Sequence, residues 1–254
     1  MNPPDHWSGL RAFTDARIAI GRSGGSVPTK PHLDFRLAHA RACDAVLSPF
    51  DPDELRRELM EIHPSVLSTE SQASDRSIYL RRPDLGRLLR ESSRSILREA
   101  AGSEVDLAIV ISDGLSAIAT MSQAAPTLRS LVPMLVSSGW RLAPLVVVKH
   151  GRVAIQDEVG SLLNAKMSLM LLGERPGLGS PDSLGAYFTY NPVPGRTDSE
   201  RNCVSNIRAR GLPPEAAAAK LYSLLAASLR LGLSGIRLKD ETQLPGGALK
   251  MRLA

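Results

Sequence analysis

Three short apolar runs in the second half of the chain limit what it can fold into: "VDLAIVIS" from residue 105, "LAPLVVVKH" from 142 and "KMSLMLLGE" from 166. Each reads as a strand buried on both faces, because it is continuously apolar and ends at Gly or a charged residue. "APTLRSLVPMLVSSGW" lies between the first two, with helical spacing despite Pro133, and "VAIQDEVGSLLNA" lies between the second and third. Strands that alternate with helices predict a parallel sheet with crossover helices. "PPEAAAAKLYSLLAASLRLG" adds a further helix, opened by proline and closed by glycine.

The chain up to about residue 102 has a different texture. Leu33, Leu37, Ala40 and Val46 recur at helical spacing, and "SPFDPDELRRELMEI" carries a capping pattern at Asp51 or Asp53. "RRPDLGRLLRESSRSILREAAG" places Leu85, Leu88, Leu89, Ile96 and Ala100 on one helical face. No strand is expected here. The expected architecture is α/β: a Rossmann-like open parallel sheet with flanking helices over 103–254, preceded by a small α-helical N-terminal domain over 1–102.

Composition excludes several function classes. The two cysteines, Cys43 and Cys203, form no C-x-x-C, and the histidines at 6, 32, 39, 63 and 150 form no H-E-x-x-H. A disulfide framework or metal centre is therefore not expected, and His39 reads as a helix residue with a structural hydrogen bond. The net charge of +5 is spread over arginines interleaved with Asp and Glu, as on solvated helix faces rather than a nucleic-acid stripe. No apolar run approaches the length of about 18 residues that a membrane span requires.

Ligands of open parallel sheets bind beyond the carboxyl ends of the strands. Three loops qualify: "SDGLS", "KHGRV" and "GERPGLGSPDSLG". The last is longer than a simple connection needs, and it lacks the third glycine of a dinucleotide fingerprint. "GRSGGSVPTK" lacks the order of residues in a phosphate loop and follows no strand. Cys203, His150 and Asp113 are the residues a thiol hydrolase could use, without a nucleophile elbow to support it.

Four strings carry a family likeness: "ARIAIGRSGGSVPTKPHLDFRLAHARACDAV", "VISDGLSA", "GERPGLGSPDSLGAYFTYNP" and "DSERNCVSNIRARGLPPEAA". Together they resemble the small subunit (light chain) of ethanolamine ammonia-lyase, from about residue 14 to the C-terminus. The resemblance implies part of an adenosylcobalamin-dependent lyase that converts ethanolamine to acetaldehyde and ammonia. It implies a hetero-oligomer of six large and small subunit pairs, in which the large subunit, a (β/α)8 barrel, holds substrate and catalytic residues. The small subunit covers the other side of the cobalamin, so no catalytic residue is expected in this chain. Matched string by string, the family's cobalamin contacts fall on Val153 in "GRVAI", Glu174 in "GERPGLG" and Cys203 in "RNCVSN". Val153 would give the corrin backbone or apolar contact, Glu174 would accept from amides on its rim, and Cys203 would pack nearby.

Proteins that replace the cobalamin's own base with histidine use D-x-H-x-x-G. Here His6 begins the one H-x-x-G, with Pro4 where Asp should stand. The likeness accordingly implies that dimethylbenzimidazole stays on cobalt. The leading segment is short beside family members packaged in a bacterial microcompartment, so a cytoplasmic complex is expected, with the microcompartment as alternative. Two other readings remain: a self-sufficient small-molecule enzyme on a Rossmann-like sheet, and an interaction module without cofactor.

Overall fold

The computed structural model describes residues 7–14 and 16–240; His6 and Pro4 of the H-x-x-G reading lie outside them. After a 3-10 turn at Ser8–Ala12, "GRSGGSVP" forms a loop closed by a Ser23 to Ser26 bridge, and the Thr29 and Lys30 that follow it open α1 (Thr29–Leu47). The expected helix is present, yet it buries only Ala38 and Ala45, leaving Leu33 and Leu37 exposed. In α2 (Pro52–Met60) the Asp51 carboxylate accepts from the backbone N–H of Asp53 and of Glu54, each at 3.0 Å, and Pro52 supplies the preset first turn.

The next segment corrects the expectation of a strandless N-terminal part. β1 (Val66–Glu70) pairs in parallel with β3 (Leu145–Lys149) along its whole length. A short α3 (Arg76–Arg81) follows. The single amphipathic helix expected over "RRPDLGRLLRESSRSILREAAG" is broken into a 3-10 turn at Leu85–Arg87, an extended stretch and α4 (Glu91–Ala100). Tertiary bonds break it: Leu89 bridges Ser71, and its N–H donates to the Glu158 carboxylate at 2.9 Å. Leu89 and Leu97 are buried, while Leu88 and Ile96 are exposed.

The alternation read in the second half is present: β2 (Val105–Ser112), α5 (Ala117–Ser137), β3, α6 (Ile155–Leu162) and β4 (Ala165–Gly173). β5 (Leu184–Tyr190) and β6 (Asn202–Ile207) were not expected; β5 runs antiparallel to β4 and to β6 on either side of it, so it is the one reversed strand among the described residues. The sheet order is β1-β3-β2-β4-β5-β6, so it is mostly rather than wholly parallel. α7 (Pro214–Leu231) ends at Gly232, whose φ of 66° suits the left-handed cap that glycine adopts without a Cβ penalty.

Side chains alternate along each strand, so the sheet builds two cores. Leu107, Ile109 and Ile111 face the layer of α2, α5 and α7, whereas Ala108 and Val110 face that of α4 and α6. The first layer covers all the strands through β6, where Val204 and Ile207 are buried. The second does not: Cys203 and Ser205, on the opposite face of β6, are exposed. That uncovered strip of sheet is where the site lies.

Candidate functional site

Beyond the carboxyl ends of β2 and β3, Asp113 and His150 meet. The buried Asp113 carboxylate accepts from the His150 backbone N–H at 2.7 Å and from Arg76 Nη1 at 2.9 Å. Desolvation raises its pKa, against the pull of His150 and Arg76. The His150 imidazole makes its hydrogen bond elsewhere, with Nδ1 3.2 Å from the Ala73 carbonyl, and its ring stacks on Tyr79 with centroids 5.8 Å apart. Asp113 therefore anchors a loop rather than orienting a base. Cys203 stands on β6, with β4 and β5 between it and β2, a span of roughly 14 Å at ordinary strand spacing. The hydrolase trio is not assembled.

Glu174 extends β4 by one residue. Its N–H donates to the Ser183 carbonyl at 2.9 Å, Ser183 Oγ donates to Oε2 at 2.5 Å, and the Asn206 N–H reaches Oε2 at 3.3 Å. Gly185 makes room for it: a Cβ there would lie 2.8 Å from Glu174 Oε1 and 2.9 Å from Tyr187. Oε1 has no hydrogen bond among the described residues, so the carboxylate keeps one oxygen for a donor from outside. The Gly-rich loop is thus a hairpin connection between antiparallel β4 and β5, pinned where Ser116 Oγ donates to the Pro181 carbonyl at 2.7 Å.

A hollow of about 460 Å³ lies beside Glu174, walled by Val153, Leu172, Tyr187, Tyr79, Arg152 and Arg175. Cys203 is the cross-strand partner of Tyr187, so Val153, Glu174 and Cys203 border one patch. Tyr187 and Arg152 were missed in the sequence: only a strand at 184–190 would have put Tyr187 on this face. The buried ion pair between Asp157 and Arg201, bidentate at 2.7 and 2.6 Å, ties α6 to the entry of β6.

Although Cys203 is exposed by area, desolvation at the sulfur pushes its pKa up to about 11, with Glu174 adding to the rise and Tyr187 opposing it. It is a neutral thiol near pH 7, suited to packing rather than to nucleophilic attack. In a Cys43→Ser variant, alkylation of Cys203 by iodoacetamide should rise about tenfold per pH unit from about pH 7 to 10 without levelling. A plateau by about pH 9 would mean an ordinary thiol. His39 sits on α1 with Nδ1 3.8 Å from Cys43 Sγ. Among the described residues no three His, Cys, Asp or Glu side chains are grouped to hold a metal ion.

The profile of the ethanolamine ammonia-lyase light chain family matches residues 4–239. The chain belongs to that family. Small subunits of ethanolamine ammonia-lyase are similar to it: that of Pseudomonas fluorescens is 50% identical over 244 residues, covering 95% of this chain and 88% of its own length. That of Pseudomonas aeruginosa is 52% identical over 240 residues (93% and 88%), and that of Xanthomonas campestris pv. campestris 50% over 246 (96% and 90%). The resemblance carried by the four strings is thereby borne out.

Proposed function

We propose that this chain is the small subunit of an adenosylcobalamin-dependent ethanolamine ammonia-lyase, which converts ethanolamine to acetaldehyde and ammonia. It works with a large subunit that carries the substrate and the catalytic residues, in a cytoplasmic hetero-oligomer of six pairs. Its task is to bind and close over the cobalamin. The observation that supports this best is the exposed face of β6 at Cys203 beside a hollow lined by Val153, Leu172, Tyr187 and Glu174, whose carboxylate has one oxygen to spare.

The residues present suit a corrinoid. A flat macrocycle fringed with carboxamides needs apolar surface beneath it and acceptors at its edge. Val153, Leu172 and Tyr187 give the first, and Glu174 the second. The cofactor supplies a cobalt–carbon bond that breaks homolytically, and hence the radical chemistry. This chain holds Glu174 in place through Ser183 and Asn206 and keeps Cys203 neutral at the edge of the patch. It also excludes water from the side it covers.

The test is cobalamin retention by the assembled complex. Glu174→Ala should weaken cobalamin binding by about 1.5–3 kcal/mol, the range of a hydrogen bond to a charged group, with little change in melting temperature. Glu174→Gln should weaken it less, since the amide oxygen still accepts. Unchanged affinity in Glu174→Ala, with lowered stability, would return the residue to holding the hairpin.

A further inference from the structure

Val153 separates the hollow at Glu174 from a second one of about 420 Å³, bordered by Arg87, Arg152, Arg196, Thr197 and Asp198. Its charge is not balanced. Arg196 is engaged by Glu200, and Asp198 lies 3.7 Å from Arg201. Arg87 and Arg152 have no carboxylate within ion-pairing distance among the described residues.

Arg152 is fixed all the same. Its guanidinium lies 4.3 Å from the Tyr79 ring centroid, and Nη2 donates to the Tyr79 carbonyl at 3.0 Å. Nε is buried without a partner. Nη1 has no hydrogen bond among the described residues and is not sealed off, so this half-buried cation keeps an N–H edge for an anion. Guanidinium forks suit the paired oxygens of a phosphate.

We propose that Arg87 and Arg152 hold a phosphodiester, and that in the assembled enzyme this is the phosphate of the cobalamin's nucleotide loop. The inference rests on the cobalamin reading above. Adenosylcobalamin has one phosphodiester, in the loop that joins the corrin to its base. With the corrin rim at Glu174 and Val153, the adjoining hollow offers that group two cations, Arg87 and Arg152, that no carboxylate pairs among the described residues.

The experiment measures binding of cobalamin, and of cobinamide, which lacks the nucleotide loop, to the large–small complex. Arg152→Gln and Arg87→Gln variants are compared with wild type at low and high salt. Each variant should bind cobalamin about tenfold to a hundredfold more weakly, bind cobinamide as wild type does, and show a shallower salt dependence for cobalamin. Arg87 is exposed, so its variant keeps the test sound if Arg152→Gln misfolds. Equal loss for both corrinoids, or no loss, overturns the phosphate role and leaves the cobalamin reading standing. Failure of the wild-type complex to bind either corrinoid overturns that reading, and this one with it.

Discussion

Replacing Arg201 by alanine should destabilise the protein by about 3–5 kcal/mol, a large share of the roughly 5–15 kcal/mol by which such domains are stable. Arg201 and Asp157 are almost wholly buried, with side-chain exposures of 3% and 1%. Arg201 also donates to Thr189 at 3.0 Å and to the Arg196 carbonyl at 2.9 Å. Without it, a carboxylate is left dry and unpaired. The penalty should depend on pH. Burial already raises the Asp157 carboxyl, and without its cation the folded pKa rises further above the unfolded value of about 3.9. The folded variant then binds more protons than the unfolded chain. Its extra instability is absent below the unfolded pKa, grows as pH rises through it, and levels off above the folded pKa. Urea titrations at several pH values check this. An Asp157→Leu, Arg201→Met double variant should recover most of the loss, because an apolar pair of similar volume costs little where a lone charge costs much. A single-variant deficit below about 1 kcal/mol would show that the pair is not structural.

The second large effect is expected at Gly173. A Cβ there would lie 2.1 Å from the Ser116 carbonyl oxygen and 2.5 Å from that of Asp113, both backbone atoms that no rotamer change can move. The β2 and β4 ends pack backbone to backbone, with the Leu115 N–H donating to the Gly173 carbonyl at 2.9 Å. Gly173→Ala should cost at least about 1–3 kcal/mol, lowering the melting temperature by about 2–12 °C at the usual ratio for this size. Gly179→Ala, in the same Gly-rich segment with nothing within 4 Å of the added methyl, is the control. It should change stability by less than about 0.5 kcal/mol. Equal melting temperatures for the two variants would refute the close approach.

The parts of this fold that were legible in the sequence are those where burial is two-sided. β2, β3 and β4 are covered by helices on both faces, so their residues are continuously apolar and stand out. β1, "VLSTE", is short and polar at an edge, and it owes its place to pairing with β3 at a separation in sequence that local pattern does not report. β5 starts directly out of the Gly-rich loop, and its alternation was hidden by Gly185. β6 buries only one face, so "NCVSNI" looks like the approach to a helix. At the site, Glu174 was legible by position at a strand end. Tyr187, Arg152 and the Asp157–Arg201 pair were not, because each acquires its meaning from a residue far away in the chain.

The central claim is that this chain closes a cobalamin site whose catalytic groups stand on another subunit. The most direct test measures ammonia release from ethanolamine with adenosylcobalamin, for this chain alone and for this chain assembled with a large subunit of the family. The account predicts turnover by the assembled pair and none by this chain alone. Turnover by this chain alone would contradict it and place the catalytic residues here. So would silence from a pair shown to assemble, when the same large subunit turns over beside its own small subunit.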